Sequence, residues 1–162
     1  MNKAPIKVLF LCTGNSARSI MAEALLNSLG QGRFVAHSAG SRPTGNVNSA
    51  AIDRLREAGH PTDGLRSKSR DEFAASGGPA FDYVITVCDQ AASEPCPVWI
   101  GGPVSVHWGM PDPAAGNPDE THQAFESAYD RLEKRIGKFV GLPLDTMNNE
   151  QIISALNDIG AG

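Results

Sequence analysis

Apolar positions along this chain follow two periods in turn. Residues 7–11, Lys-Val-Leu-Phe-Leu, are a nearly unbroken apolar run and predict a buried strand. Ala17, Ile20, Met21, Ala24, Leu25 and Ser28 then recur at helical spacing, and Gly30 offers a stop. Residues 34–39 read as a second short strand and 41–45 as a loop. Asn48 or Ser49 caps a helix through Ala51, Ile52, Leu55 and Ala58, closed by Gly59. Residues 69–75 read as another helix, broken by Gly77-Gly78-Pro79. Two more strands are expected at 81–87 and 104–107. Phe125, Ala128, Tyr129, Leu132, Ile136, Phe139 and Val140 mark a long amphipathic helix.

Strands separated by helical segments predict an α/β fold of three layers, a four-stranded parallel sheet with helices on both faces. This domain is expected over residues 1–142. A tail, 143–162, carries Ile152, Ile153, Leu156 and Ile159 on one face of a short amphipathic helix. The plainer reading packs that face on the parent domain, in a monomer; the other places it against a second subunit. Ligands of parallel sheets bind beyond the carboxyl ends of the strands, where Cys12 and Cys88 both fall.

Composition narrows the class. A chain of 162 residues, 41% hydrophobic, suits one domain with a sizeable core. Its net charge of −4 and pI near 5.5 make no electrostatic case for nucleic acid or a membrane surface. No apolar run approaches the ~20 residues that span a bilayer. Met-Asn-Lys-Ala-Pro runs straight into the first strand, so no signal peptide is expected and a cytoplasmic location is. Three cysteines cannot close a disulfide framework. They include no Cys-x-x-Cys pair, and no histidines pair at ligand spacing, so no metal site is expected.

The candidate chemistry lies in Cys12-Thr-Gly-Asn-Ser-Ala-Arg18-Ser19, between the first strand and the first helix. Such a loop points unpaired backbone N–H groups at one spot on the positive end of a helix dipole, a nest for a tetrahedral oxyanion. Thr13, Gly14, Asn15, Ser16, Ala17 and Arg18 would line it. Gly14 permits the tight turn, and the Arg18 guanidinium matches two oxygens of the anion. Cys12 at the bottom would be a thiolate nucleophile, with a pKa in the ~3.5–7.5 range of thiols so placed. The plain alternative is a buried strand-end cysteine and a surface arginine. The order strand, Cys, Gly, Arg, Ser, helix argues against it.

With these residues, the stretch from Val8 to Glu23 resembles the signature of low-molecular-weight protein tyrosine phosphatases and of the arsenate reductases that share their fold. In Gly109-Met-Pro-Asp112-Pro113, Asp-Pro alone is an ordinary turn signal. The resemblance assigns Asp112 the role of general acid, protonating the oxygen that the thiolate expels. The phosphatases follow Asp-Pro with aromatic residues that stack on phosphotyrosine. Here Ala114 and Ala115 come next, which withdraws a contact worth roughly 0.5–1.5 kcal/mol per ring pair.

A hydrolytic phosphatase needs neither Cys88 nor Cys96; an arsenate reductase needs electrons. Cys88 would attack Cys12 to release arsenite, and Cys96 would resolve the disulfide for an external thiol reductant. Cys88-Asp-Gln-Ala-Ala, Cys96-Pro97, His107-Trp108-Gly109 and Asp112-Pro113-Ala114 resemble the thioredoxin-coupled arsenate reductases. Many of those carry a further cysteine where this chain has Ala17, and their Cys88–Cys96 interval is one residue shorter. Thioredoxin and glutathione with glutaredoxin therefore both stand open as reductant.

The resemblance also implies that Asn15 braces the loop. Ser19 can donate a hydrogen bond to the Cys12 thiolate. Some members bind potassium through residues matching Asn15 and Glu23; Lys68 offers an ammonium in its place, or belongs to a solvated basic run. The expectation is an arsenate reductase with phosphate and sulfate as competing anions and no bound cofactor. The rivals are a phosphatase using Cys12, Arg18 and Asp112 alone, and a non-catalytic oxyanion-binding or redox-sensing protein.

Overall fold

The computed structural model describes residues 5–74, 80–88, 103–113 and 117–161. Four parallel strands form one sheet: β1 (Ile6–Cys12), β2 (Phe34–Gly40), β3 (Tyr83–Thr86) and β4 (Val104–His107), in the order β2-β1-β3-β4. The helices are α1 (Arg18–Leu29), α2 (Ser49–Glu57), α3 (Asp71–Ala74), α4 (Thr121–Val140) and α5 (Asn149–Gly160). The four-stranded parallel architecture read from the sequence is the one observed. β3 is shorter than its apolar run, although Val87 N–H still donates to Leu11 O at 2.9 Å. The glycine-rich break at 77–79, and Cys96, lie outside the described residues.

Alternation along each strand sorts side chains to the two faces. Val8, Phe10 and Cys12 of β1 join Tyr83, Ile85, Val106 and Trp108 in the main core; Leu9, Leu11 and Val84 join Phe73 and Phe81 on the other face. The main core lies under α1, α4 and α5, where Phe139 meets Phe34, Tyr83 and Trp108 edge-on at 5.2–6.0 Å between ring centroids. Among the described residues only α3 belongs to the opposite face.

Local signals set the helix ends. The Asn48 side chain accepts from Ala50 N and caps α2; Asn148 and Gln151 form a reciprocal capping box at the start of α5. α1 departs from a single-faced helix: Ser19, Ile20, Met21, Ala22, Ala24, Leu25 and Leu26 are all buried, because it lies between the sheet, α2 and α4. The tail helix packs on the parent domain, with Ile152, Leu156 and Ile159 in the main core. No helix among the described residues is long and apolar enough to cross a membrane.

Candidate active site

β1 ends at Cys12, and α1 begins at Arg18 with no side-chain cap from Ala17. The first N–H groups of α1 are therefore without helical or capping partners. Between these ends the loop is held by its carbonyls. Arg42 N–H donates to Thr13 O (2.9 Å), Thr44 N–H to Gly14 O (3.1 Å) and Asn48 N–H to Ser16 O (2.8 Å). In a planar trans peptide the N–H of the next residue points away from the carbonyl. Carbonyls bound on the outside thus leave the N–H groups of Gly14, Asn15 and Ala17 directed to the inside, as an oxyanion requires.

Two further positions shape the loop. Asn15 has φ +45°, a left-handed conformation that Asn tolerates better than most residues. Its buried side chain donates to Ser19 Oγ (2.8 Å) and accepts from Lys68 N–H (2.9 Å). Gly40 lies beneath: a Cβ there would fall 2.5 Å from Thr13 O and 2.9 Å from Cys12 O. Sequence reading missed Gly40. A glycine closing a strand opposite the nucleophile, in Ser38-Ala39-Gly40, was the available signal.

Cys12 is buried at the base, with Cys88 buried beside it. The Thr13 N–H donates to Cys88 Sγ at 3.3 Å, and the Thr13 hydroxyl lies 3.6 Å from the same sulfur. The hydrogen bond with Cys88 and burial push the Cys12 thiol up, against the pull of the Arg18 charge and the Gly14 N–H. The expectation of a lowered Cys12 pKa rested on Arg18 and the loop N–H groups, and did not include this second sulfur, which acts in the opposite direction.

Arg18 is half-buried, and its Nη1 donates to Met110 O at 3.0 Å. That carbonyl stands two residues before Asp112, which is exposed. The loop arginine and the Asp-Pro segment are therefore tied together. Ser19 is buried, and its oxygen accepts from Asn15, which fixes the hydroxyl near the loop. Lys68 is buried, its ammonium 3.7 Å from Glu23 Oε1 and donating to Arg66 O at 2.9 Å. Ser38 Oγ donates to the same Glu23 oxygen at 2.5 Å. Burial pushes the Glu23 carboxyl up and the Lys68 ammonium down, and each is opposed by the charge of the other. Cys96, Ala114 and Ala115 lie outside the described residues.

The sequence pattern of the low molecular weight phosphotyrosine protein phosphatases matches residues 7–152. The chain belongs to this family. Within it, an arsenate reductase of Halalkalibacterium halodurans is 36% identical over 141 residues, 86% of this chain and 96% of the relative. A glutaredoxin arsenate reductase of Synechocystis is 30% identical, over 82% of this chain and 97% of its own length. Among solved structures, an arsenate reductase from Archaeoglobus fulgidus superposes with a TM-score of 0.65 at 30% identity, covering 83% of this chain and 99% of that one. A thioredoxin-dependent arsenate reductase from Corynebacterium glutamicum superposes with a TM-score of 0.60 at 25% identity, over 82% of this chain and 60% of that one.

Proposed function

We infer that this protein reduces arsenate to arsenite, with Cys12 as nucleophile and a disulfide as the oxidised product. The placement of Cys88 carries this reading. A second buried thiol stands against the first, inside a loop built for a tetrahedral oxyanion. A phosphatase hydrolyses its covalent intermediate with water and has no use for that sulfur.

The steps follow from the chemistry of these groups. Arsenate binds the inward N–H groups of the loop and Arg18, where phosphate and sulfate compete for the same donors. Cys12 attacks arsenic, and Asp112 protonates the departing oxygen, which leaves as water. Cys88 thiolate then attacks the Cys12 sulfur. A disulfide forms, and the electron pair of the broken S–As bond stays on arsenic, which departs as arsenite. Cys96 attacks Cys88, freeing Cys12. The Cys88–Cys96 disulfide takes two electrons from thioredoxin, and the protein works in the cytoplasm, as a monomer, where thiols are kept reduced.

Anaerobic thiol titration tests the reading. Two thiols should be lost per arsenite formed when no reductant is supplied; a phosphatase loses none. In coupled assays thioredoxin should sustain turnover. Turnover with glutathione and glutaredoxin alone would move the resolving step off Cys96.

Lys68 serves here as the fixed cation of the loop's support. With the ammonium already 3.7 Å from Glu23 Oε1, a second cation on the same carboxylate would meet like-charge repulsion. Exchanging potassium for sodium at constant ionic strength should leave kcat/KM unchanged within about twofold, well under the tenfold that 1.4 kcal/mol represents. A potassium-specific stimulation would remove Lys68 from this role.

A further inference from the structure

The last turn of α5 reaches the segment that carries Asp112. Trp108 is fully buried, and its Nε1–H donates to Leu156 O at 2.9 Å. Gly160 lies against the same indole: a Cβ on it would stand 2.5 Å from Trp108 Cδ1 and 3.1 Å from His107 O. Arg135, on α4 and only 5% exposed, donates from Nη2 to Gly160 O at 2.9 Å. Its Nη1 donates to Trp108 O and Gly109 O, both at 3.3 Å. The next carbonyl, Met110 O, is held by Arg18. Three successive carbonyls, 108 to 110, are thus gripped by two guanidinium groups from opposite partners. One of these is itself seated on the end of α5.

β4 is only four residues long and lies at the sheet edge, and residues 109–113 beyond it are rich in Gly and Pro. Residues 109–113 belong to no strand or helix, so the contacts they make, rather than a backbone ladder, must hold them in place. A general acid works only when its geometry is held, and a misplacement of about 1 Å can cost about 100-fold. The family match ends at Ile152, four residues into α5, so Leu156, Ile159 and Gly160 lie beyond it.

We propose that α5 is a positioning element for catalysis: through Gly160, Arg135 and Trp108 it sets the 108–112 segment so that Asp112 and Arg18 act in register over Cys12. Arg135 and Gly160 act through the segment and touch no reacting atom. The inference rests on the reading of Asp112 as the general acid.

That acid matters in proportion to the basicity of the leaving group, which provides a readout that loss of folded protein does not move. Gly160→Ala, Arg135→Lys and Asp112→Asn are compared on phenyl phosphate, whose phenolate needs a proton, and on 4-nitrophenyl phosphate, whose phenolate hardly does. Thermal unfolding is followed in parallel. Gly160→Ala and Arg135→Lys should each lose about tenfold in kcat on phenyl phosphate and under about threefold on the nitrophenyl ester, with KM little changed, a fraction of the 10²–10⁴ a general acid supplies. Asp112→Asn should show the same ordering, more strongly. Equal losses on both esters, or none, in the two α5 variants overturn the proposal, since α5 would then be packing alone. Should Gly160→Ala fail to fold, Arg135→Lys, which keeps the charge, decides. A flat response in Asp112→Asn overturns the acid assignment and the proposal with it. A graded Asp112→Asn beside flat α5 variants overturns the proposal alone.

Discussion

Cys12→Ser is expected to abolish arsenate reduction and aryl phosphate hydrolysis together, each by about four orders of magnitude or more, as when a covalent nucleophile is removed elsewhere. Both reactions begin with the same bond from the Cys12 sulfur. A serine hydroxyl beside Arg18 and the loop N–H groups still lacks a base to deprotonate it, whereas a thiol is intrinsically far more acidic and more nucleophilic. Anion binding should survive, because the donors are backbone groups and Arg18. Phosphate titration by calorimetry, run beside both activity assays, separates lost chemistry from lost folding. Residual turnover within about tenfold of the parent would displace Cys12 from the centre of the reaction.

The second large effect separates the two chemistries. Cys88→Ser and Cys96→Ser should both stop multiple turnover of arsenate while leaving aryl phosphate hydrolysis within a few-fold. Attack on the oxyanion and protonation by Asp112 require the first loop and the acid; delivery of electrons requires the other thiols. The two variants should also differ from each other. Without Cys96 the enzyme should release one arsenite and stop with Cys12 and Cys88 joined. Without Cys88 it should stop earlier, with no arsenite released. Mass spectrometry of the trapped protein distinguishes them. Cys88→Ser carries a second consequence. Cys88 raises the Cys12 pKa by its hydrogen bond and its charge. With the thiol replaced, the Arg18 charge and the Gly14 N–H act with less opposition. Iodoacetamide alkylation of Cys12 should therefore reach half its maximal rate at a lower pH in this variant than in the parent. An unchanged profile would mean that Cys88 does not act on the Cys12 pKa. Normal turnover of Cys96→Ser with thioredoxin would make Cys96 a bystander.

Much of the candidate site was legible because it is local. The order strand, Cys12, Gly14, Arg18, helix lies within one βα turn, which by itself suggests an anion nest at the helix N-terminus. The capping Asn48, the apolar run of β1 and the apolar face of α5 were legible for the same reason. Arg135 was not. It borders the apolar face, three residues after Leu132 and four before Phe139, but a charged side chain carries no hydrophobic signal there, and its partners, the carbonyls at the end of β4 and of α5, are distant in sequence. The burial of α1 on several sides escaped the periodic pattern likewise, since Ser19 and Ala22, small residues off that face, carry little hydrophobic signal.

By itself the sequence determined the local devices of this protein: the strands, the helix ends, the loop and the residue types needed for thiolate chemistry on an oxyanion. Tertiary structure decided which distant groups meet them. The Thr13 N–H reaches Cys88 across 75 residues because β1 and β3 pair in parallel register, Val8 opposite Tyr83 and Leu11 opposite Thr86. The outward carbonyls of the loop depend on donors between Arg42 and Asn48, and its floor depends on Gly40 in a neighbouring strand. The physical reason is the range of the forces involved. Hydrogen bonds and close packing act over a few ångströms, so a partner far along the chain is settled only when the sheet closes.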